Sequence, residues 1–228
     1  MVRTTKPLAE KRPFLLASIV AALAFYYLRS GPWPEAWFIP LKGAAVVLLA
    51  VYARLRHGGA DARLLAVLLL IAAGAEMALE VDGLAAHVLW FAFHAVALML
   101  WLRHRRILVG RQDKVVAVLL LLAPSAMLAW LVGEEWGGIV SAAYGLALGG
   151  MAAGAWTSTF PRARVAAGAM LIAVGDLLWF AGTGPLLGSQ VPQIFGWPLT
   201  YLGQLLIALG VVGTLRKREP ELRLVRSR

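Results

Sequence analysis

The sequence predicts an all-α fold, a polytopic membrane helix bundle of about eight transmembrane helices with both termini on the cytoplasmic side. Of its 228 residues, 61% are hydrophobic and only 15% charged, far from the balance of a soluble domain of this length. Nearly the whole chain divides into apolar stretches close to the ~20 residues that a bilayer core requires. The breaks between them are short, and alternate breaks are rich in arginine and lysine.

Breaking at charges, glycines and prolines places helices near 13–29, 35–54, 63–81, 84–102, 114–132, 137–157, 163–182 and 194–215. They form one domain over 13–215 between basic tails at 1–12 and 216–228. The first stretch follows a basic tail as a signal peptide would, but no A-x-A-like cleavage signal follows it, so it counts as helix one. With the N-terminus inside, cytoplasmic segments hold 20 of the 22 basic residues. The outer connections hold Glu35, Glu80, Asp82, Glu134 and Glu135 against Arg29 alone. A seven-helix arrangement would break this alternation, and the expected location is a bacterial cytoplasmic (inner) membrane.

The net charge of +10 does not point to nucleic acid, because the basic residues fall at the ends of apolar segments and form no folded basic face. Anionic lipid is the expected partner. With no cysteine in the chain, disulfides, thiolate nucleophiles and Cys-based metal sites are excluded. Trp33, Trp37, Trp130, Trp136, Trp179 and Trp197 fall near outer helix ends, and Trp101 and Trp156 near inner ends, as an interfacial belt requires. Gly145, Gly149, Gly150 and Gly154 give helix six small-residue faces for close packing. Helices three and seven share a pattern, LLIAAGAEMAL against MLIAVGDLLWF, which suggests a weak parallel repeat of four helices plus four.

An ionisable group inside a membrane span costs about 2.5–3.5 kcal/mol on insertion scales, so each one is a candidate functional residue. Here they are Lys42, Glu76, His87, His94 and Asp176, with Tyr201 and Gln204 as uncharged companions. At about 1.5 Å per residue, Glu76, Asp176 and Lys42 lie roughly 10 Å below the outer boundary, and His94 and Gln204 roughly 15 Å. Five helices running in alternate directions thus bring polar groups to one layer, and a shared cavity is expected. The plainer reading pairs Lys42 with one carboxylate and leaves the rest to hydrogen bonds between helices. Glu80 and Asp82 are expected in a wet outer loop, His87 at the interface, and Tyr201 as a possible belt aromatic. Pro40, Pro124 and Pro198 are expected to kink or open helices two, five and eight.

His87 and His94, seven apart, share a face of helix four, but no other helix offers a histidine within its span to complete bis-histidine haem ligation, since His57 and His104 lie in loops or at helix ends. The intramembrane lysine lies on helix two and not near the chain's end, which argues against a retinal protein. No Walker, G-x-S-x-G or H-E-x-x-H pattern occurs. No metal and no organic cofactor is implied.

The stretch Arg164–Gly182 with GAMLIAVGDLLWF, and PLTYLGQLLIALG from Pro198 to Gly210, resemble the paired closing motifs of the lysoplasmalogenase-like (YhhN) membrane proteins. Lys42 after a proline, GAEMAL around Glu76 and FHAVAL around His94 are similar to the family's earlier motifs, with His87 as the alternative match for His94. The family usually has Gly-Asp where this chain has Ala75-Glu76. The resemblance implies hydrolysis of the vinyl ether bond of lysoplasmalogens to a fatty aldehyde and a glycerophospho-alcohol. It implies Glu76 and Asp176 as catalytic carboxyls, one protonated and one ionised, the ionised one being whichever lies nearer Lys42. Lys42 would otherwise meet the substrate phosphate, while His94, Tyr201 and Gln204 would orient water and the glycerol hydroxyl. The expected partners are a lysophospholipid substrate and membrane lipids. Two other functions fit the same polar layer, a non-enzymatic lipid carrier and a hydrolase of another ether or ester lipid.

Overall fold

A computed structural model describes residues 13–132 and 138–226. The basic segment 1–12 and the connection carrying Glu134, Glu135 and Trp136 lie outside the described residues. The described chain forms eight α-helices: α1 (Pro13–Leu28), α2 (Phe38–Arg56), α3 (Ala60–Ala78), α4 (Gly83–Arg103), α5 (Arg111–Val132), α6 (Gly138–Thr157), α7 (Val165–Thr183) and α8 (Val191–Arg226). A 3₁₀ turn at Glu35–Trp37 precedes α2. Helix is the state that lets an apolar stretch satisfy every backbone group internally, which a bilayer demands. Six helices, α2 and α4 to α8, are long and apolar enough to cross a membrane. Of the other two, α1 has 16 residues, and α3 carries Asp61, Arg63 and Glu76 within its 19.

Helix ends follow the expected signals within a few residues, with one exception. Asp82 Oδ1 accepts the backbone N–H groups of Leu84 (2.9 Å) and Ala85 (3.2 Å) and so caps α4. Arg54 and Arg56 occupy the last turn of α2, where cations offset the helix dipole. The exception is α8, which runs through Arg226 and absorbs most of the segment expected as a tail from residue 216. Apart from Pro220 and Val225, its added part consists of arginine, lysine, glutamate and leucine, good helix formers that continue an already nucleated helix. Pro40 also departs from expectation. It lies in the first turn of α2, where the missing N–H has no intrahelical partner to lose, so it opens nothing there. By contrast, α5 continues past Pro124 and α8 past Pro198.

The chain divides into two compact units, Met1–Leu89 and Trp90–Arg228. In the first, α1 packs on α2 and α2 on α3. Phe25 and Phe38 meet edge to face at 6.3 Å, and the Ser18 hydroxyl donates to the Ala45 carbonyl. In the second, α5 packs on α6 and α7, α6 on α7, and α7 on α8.

Glycine sets both close helix contacts of the second unit. A methyl group at Gly145 would lie 2.5 Å from the Ser125 Cα, and one at Gly149 would lie 2.3 Å from the Leu121 carbonyl oxygen. The neighbouring Leu120 carbonyl loses its helical donor to Pro124, and its oxygen would lie 2.8 Å from that methyl group. Gly154 instead faces Leu98 and Trp101, so the small residues of α6 serve two neighbours. Between α7 and α8 the contact is reciprocal: Gly203 meets the Gly168 carbonyl, Gly168 meets that of Gly203, and Gly175 abuts Thr200 and Gly196. Glycines seven apart on antiparallel helices bring the two backbones into contact at successive levels.

Arginines close the basic end of this unit. Asp113 accepts from Arg106 at 3.4 Å and from Arg162, and the Arg162 guanidinium lies 4.6 Å above the Trp156 ring. Arg218 of α8 donates to His104 Nδ1 (3.2 Å) and to the Thr159 hydroxyl (2.9 Å). Trp101, expected at the interface, is fully buried with its ring edge on Phe160. Its site against Gly154 makes it a packing residue.

The α7–α8 contact yields a direct test. Gly203→Ala places a methyl group against a backbone oxygen, whereas at Gly196 the nearest atom would be 4.0 Å away. Gly203→Ala is therefore expected to lower stability by about 1–3 kcal/mol and Gly196→Ala to leave it unchanged. Thermal unfolding of the purified protein in detergent checks the pair, and equal melting temperatures would contradict the contact.

Candidate functional site

Among the described residues, a buried polar cluster lies in each unit. In the first unit, Lys42 leaves α2 one turn after Phe38 and its ammonium meets two carboxylates, Glu76 Oε2 at 3.0 Å and Glu80 Oε1 at 2.9 Å. The Phe25 ring lies 5.8 Å from the same nitrogen. Lys42 and Glu76 are buried, with side chains 7% and 3% exposed, while Glu80 is 43% exposed. Glu80 lies past the end of α3 and is exposed, as expected of a wet loop, but the expectation of a single carboxylate partner for Lys42 is corrected. Glu80 sits just past α3, one helical turn beyond Glu76, and from there its side chain reaches back to the ammonium. With two carboxylates on it, Lys42 is committed to ion pairing, which counts against a role as the site of a substrate phosphate.

An apolar groove of about 520 Å³ lies in the same unit, lined by Leu28, Trp33, Trp37, Phe38, Pro40 and Leu41. Phe38, one of its walls, packs on Phe25, the ring that faces the Lys42 ammonium. An alkyl chain is the chemistry this lining suits.

In the second unit the centre is Asp176 on α7. Gly175 turns toward α8, and Asp176, about 100° further round the helix, turns to α4 and α6. Its Oδ2 accepts two bonds, from His94 Nε2 at 3.0 Å and from the Tyr144 hydroxyl at 3.0 Å. His94 is wholly buried, and Asp176 and Tyr144 are 7% and 4% exposed. Aromatic rings hold the imidazole in place. Trp90 stacks on it at 6.0 Å and 25°, and Phe93 and Tyr144 meet it edge to face at 5.5 Å. The other ring nitrogen, Nδ1, is buried and has no hydrogen-bond partner among the described residues.

The structure therefore joins Lys42 to Glu76, and His94 to Asp176. Of the two histidines on α4, His94 bonds Asp176, while His87 Nδ1 is tied to the Gly83 carbonyl one turn back on its own helix. His87 is buried near the start of α4. Tyr201 is buried and stacks on Trp197 at 5.5 Å and 13°. Gln204 is wholly buried, and neither amide heavy atom finds a hydrogen-bond partner among the described residues. Tyr144 was missed at the level of sequence. A phenol in an apolar helix reads as bulk, and the only available signal was its place beside Gly145 on a helix otherwise rich in small residues.

Apolar helices with ion pairs and hydrogen-bonded acids in their interior define a polytopic α-helical integral membrane protein. The chain belongs to the YhhN family, whose family model matches residues 37–211, from the turn before α2 into α8 and across every polar residue of both clusters. Comparison with curated proteins and with solved structures gave no match.

Removing one partner of a buried ion pair leaves the other desolvated and uncompensated. Lys42→Met is therefore expected to destabilise the protein by about 3–5 kcal/mol, and Lys42→Met/Glu76→Gln to recover part of that loss. A thermal-unfolding double-mutant cycle tests this, and strictly additive losses would contradict the pairing.

Proposed function

We propose that the chain is a lysoplasmalogenase-like hydrolase that cleaves the vinyl ether bond of a lysoplasmalogen, releasing a fatty aldehyde and a glycerophospho-alcohol. Family membership supports the class of reaction. The observation that carries the reading is the buried Asp176 with His94 and Tyr144 bonded to one of its oxygens. Vinyl ether cleavage requires a proton delivered to carbon, an oxocarbenium ion stabilised by negative charge, and water guided to that ion. A carboxylate and an imidazole fixed against each other in an apolar interior supply a proton relay and a stabilising charge. Glu76, matched by Lys42, is the second proposed functional carboxylate, and it is the lysine-bound carboxylate to which the family resemblance assigns the ionised role. Tyr201 and Gln204 are proposed to orient the glycerol hydroxyl and water. The groove of Trp33, Trp37 and Phe38 suits the alkyl chain. The Lys/Arg distribution supports a bacterial inner membrane with both chain ends inside.

The groove also supports a second reading, a carrier that binds a single-chain lipid and leaves it intact. An aldehyde-trapping assay with purified protein and lysoplasmalogen separates the two. Hydrolysis predicts trapped aldehyde, and Asp176→Asn at normal protein levels reduces its release by at least 10²-fold, within the ordinary range for acid–base groups. Saturable lipid binding without aldehyde would establish the carrier, and full activity in Asp176→Asn would remove Asp176 from the mechanism.

A further inference from the structure

Resting on the hydrolase reading, we propose that the atom transferring the proton is Nδ1 of His94, and that Asp176 and Tyr144 are its positioning residues. The resemblance to the family suggests the reverse, a carboxyl acid with histidine as helper. The hydrogen bonds favour the exchange of roles. Asp176 Oδ2 accepts the Tyr144 hydroxyl and lies 3.0 Å from His94 Nε2, so that oxygen is already engaged by two neighbours. One of those neighbours is His94 Nε2, and an imidazole tied to a carboxylate through one nitrogen presents the other as its working atom. That other nitrogen is buried without a partner, an arrangement that costs stability unless substrate or water meets it. The three surrounding rings keep Nδ1 from swinging away. Tyr144 bonds the same oxygen that His94 Nε2 meets and packs its ring edge to face on the imidazole, which holds the carboxylate and the ring in register.

The steps balance with water as the only co-reactant. The imidazolium gives its Nδ1 proton to the outer carbon of the C=C–O unit, whose π pair becomes the new C–H bond. An oxygen lone pair forms the C=O⁺ bond of the oxocarbenium ion. Neutral Nδ1 then takes a proton from water as the water oxygen bonds to the cationic carbon, which yields the hemiacetal and restores the imidazolium. Collapse of the hemiacetal carries its hydroxyl proton to the departing glycerol oxygen and frees the aldehyde.

His94→Gln places an amide N–H near the Nε2 position and so keeps the bond to Asp176, but it has no group to protonate at Nδ1. The expected result with lysoplasmalogen is a kcat loss of about 10²–10⁴-fold with KM nearly unchanged. In folded His94→Ala, added imidazole is expected to restore activity at least tenfold. A wild-type rate in His94→Gln would overturn the inference while leaving the hydrolase reading intact. A folded His94→Ala that imidazole fails to rescue would likewise overturn it, because a purely positional histidine gives that result. Should His94→Ala not fold, the His94→Gln kcat and KM decide alone. No aldehyde from the wild-type chain would remove the hydrolase reading and this inference with it.

Discussion

A charge in the apolar interior of a helix bundle persists only where an opposite charge or a hydrogen-bond donor is fixed against it, and this constraint organises the protein. Glu76 is buried, and the Lys42 ammonium lies 3.0 Å away. Asp176 is buried, and an imidazole and a phenol each lie 3.0 Å away. Neither carboxylate could be inserted alone without a cost that its helix could not offset. The pairing binds α2 to α3 in one unit and α4, α6 and α7 in the other, so the polar clusters are part of the packing. Replacing such a pair by apolar residues is often neutral or stabilising, which makes a purely structural reason for keeping both clusters weak.

Glycine is the complementary device. Hydrophobic burial gives little drive for helix association in lipid, so contact depends on backbones that approach closely. Gly168, Gly175 and Gly203 bring α7 against α8. With Gly175 facing α8, the next residue, Asp176, is turned toward His94 and Tyr144. A small residue beside a charged one thus decides which helix the charge addresses. On α6 the same relation recurs, with Gly145 against Ser125 and its neighbour Tyr144 directed to Asp176.

The helices and the charged members of both clusters were legible in the sequence because charge stands out in an apolar stretch. Lys42, Glu76, His94 and Asp176 needed no structure to be noticed, and the breaks that end α2 to α7 are marked by arginine, glycine and aspartate. What was not legible depends on pairing between distant segments. Tyr144 lacks any charge to mark it, and its role exists only through Asp176 on another helix. Glu80 follows the end of α3 and reads as loop, yet a side chain one turn past Glu76 can reach the same ammonium. The glycines of α7 and α8 become a motif only when the antiparallel register sets Gly168 beside Gly203. Pro40 was misjudged because its effect depends on whether it falls in the first turn or the middle of a helix.

If the His94–Asp176 cluster places a proton on a lipid's carbon, isotope labelling of the product shows it most directly. Turnover of lysoplasmalogen in D₂O, with the aldehyde trapped at once and analysed by mass spectrometry, reports where solvent hydrogen enters. The account predicts one deuterium on the carbon next to the carbonyl, since the new C–H bond is made by the transferred proton. An aldehyde released with no deuterium at that carbon would contradict it.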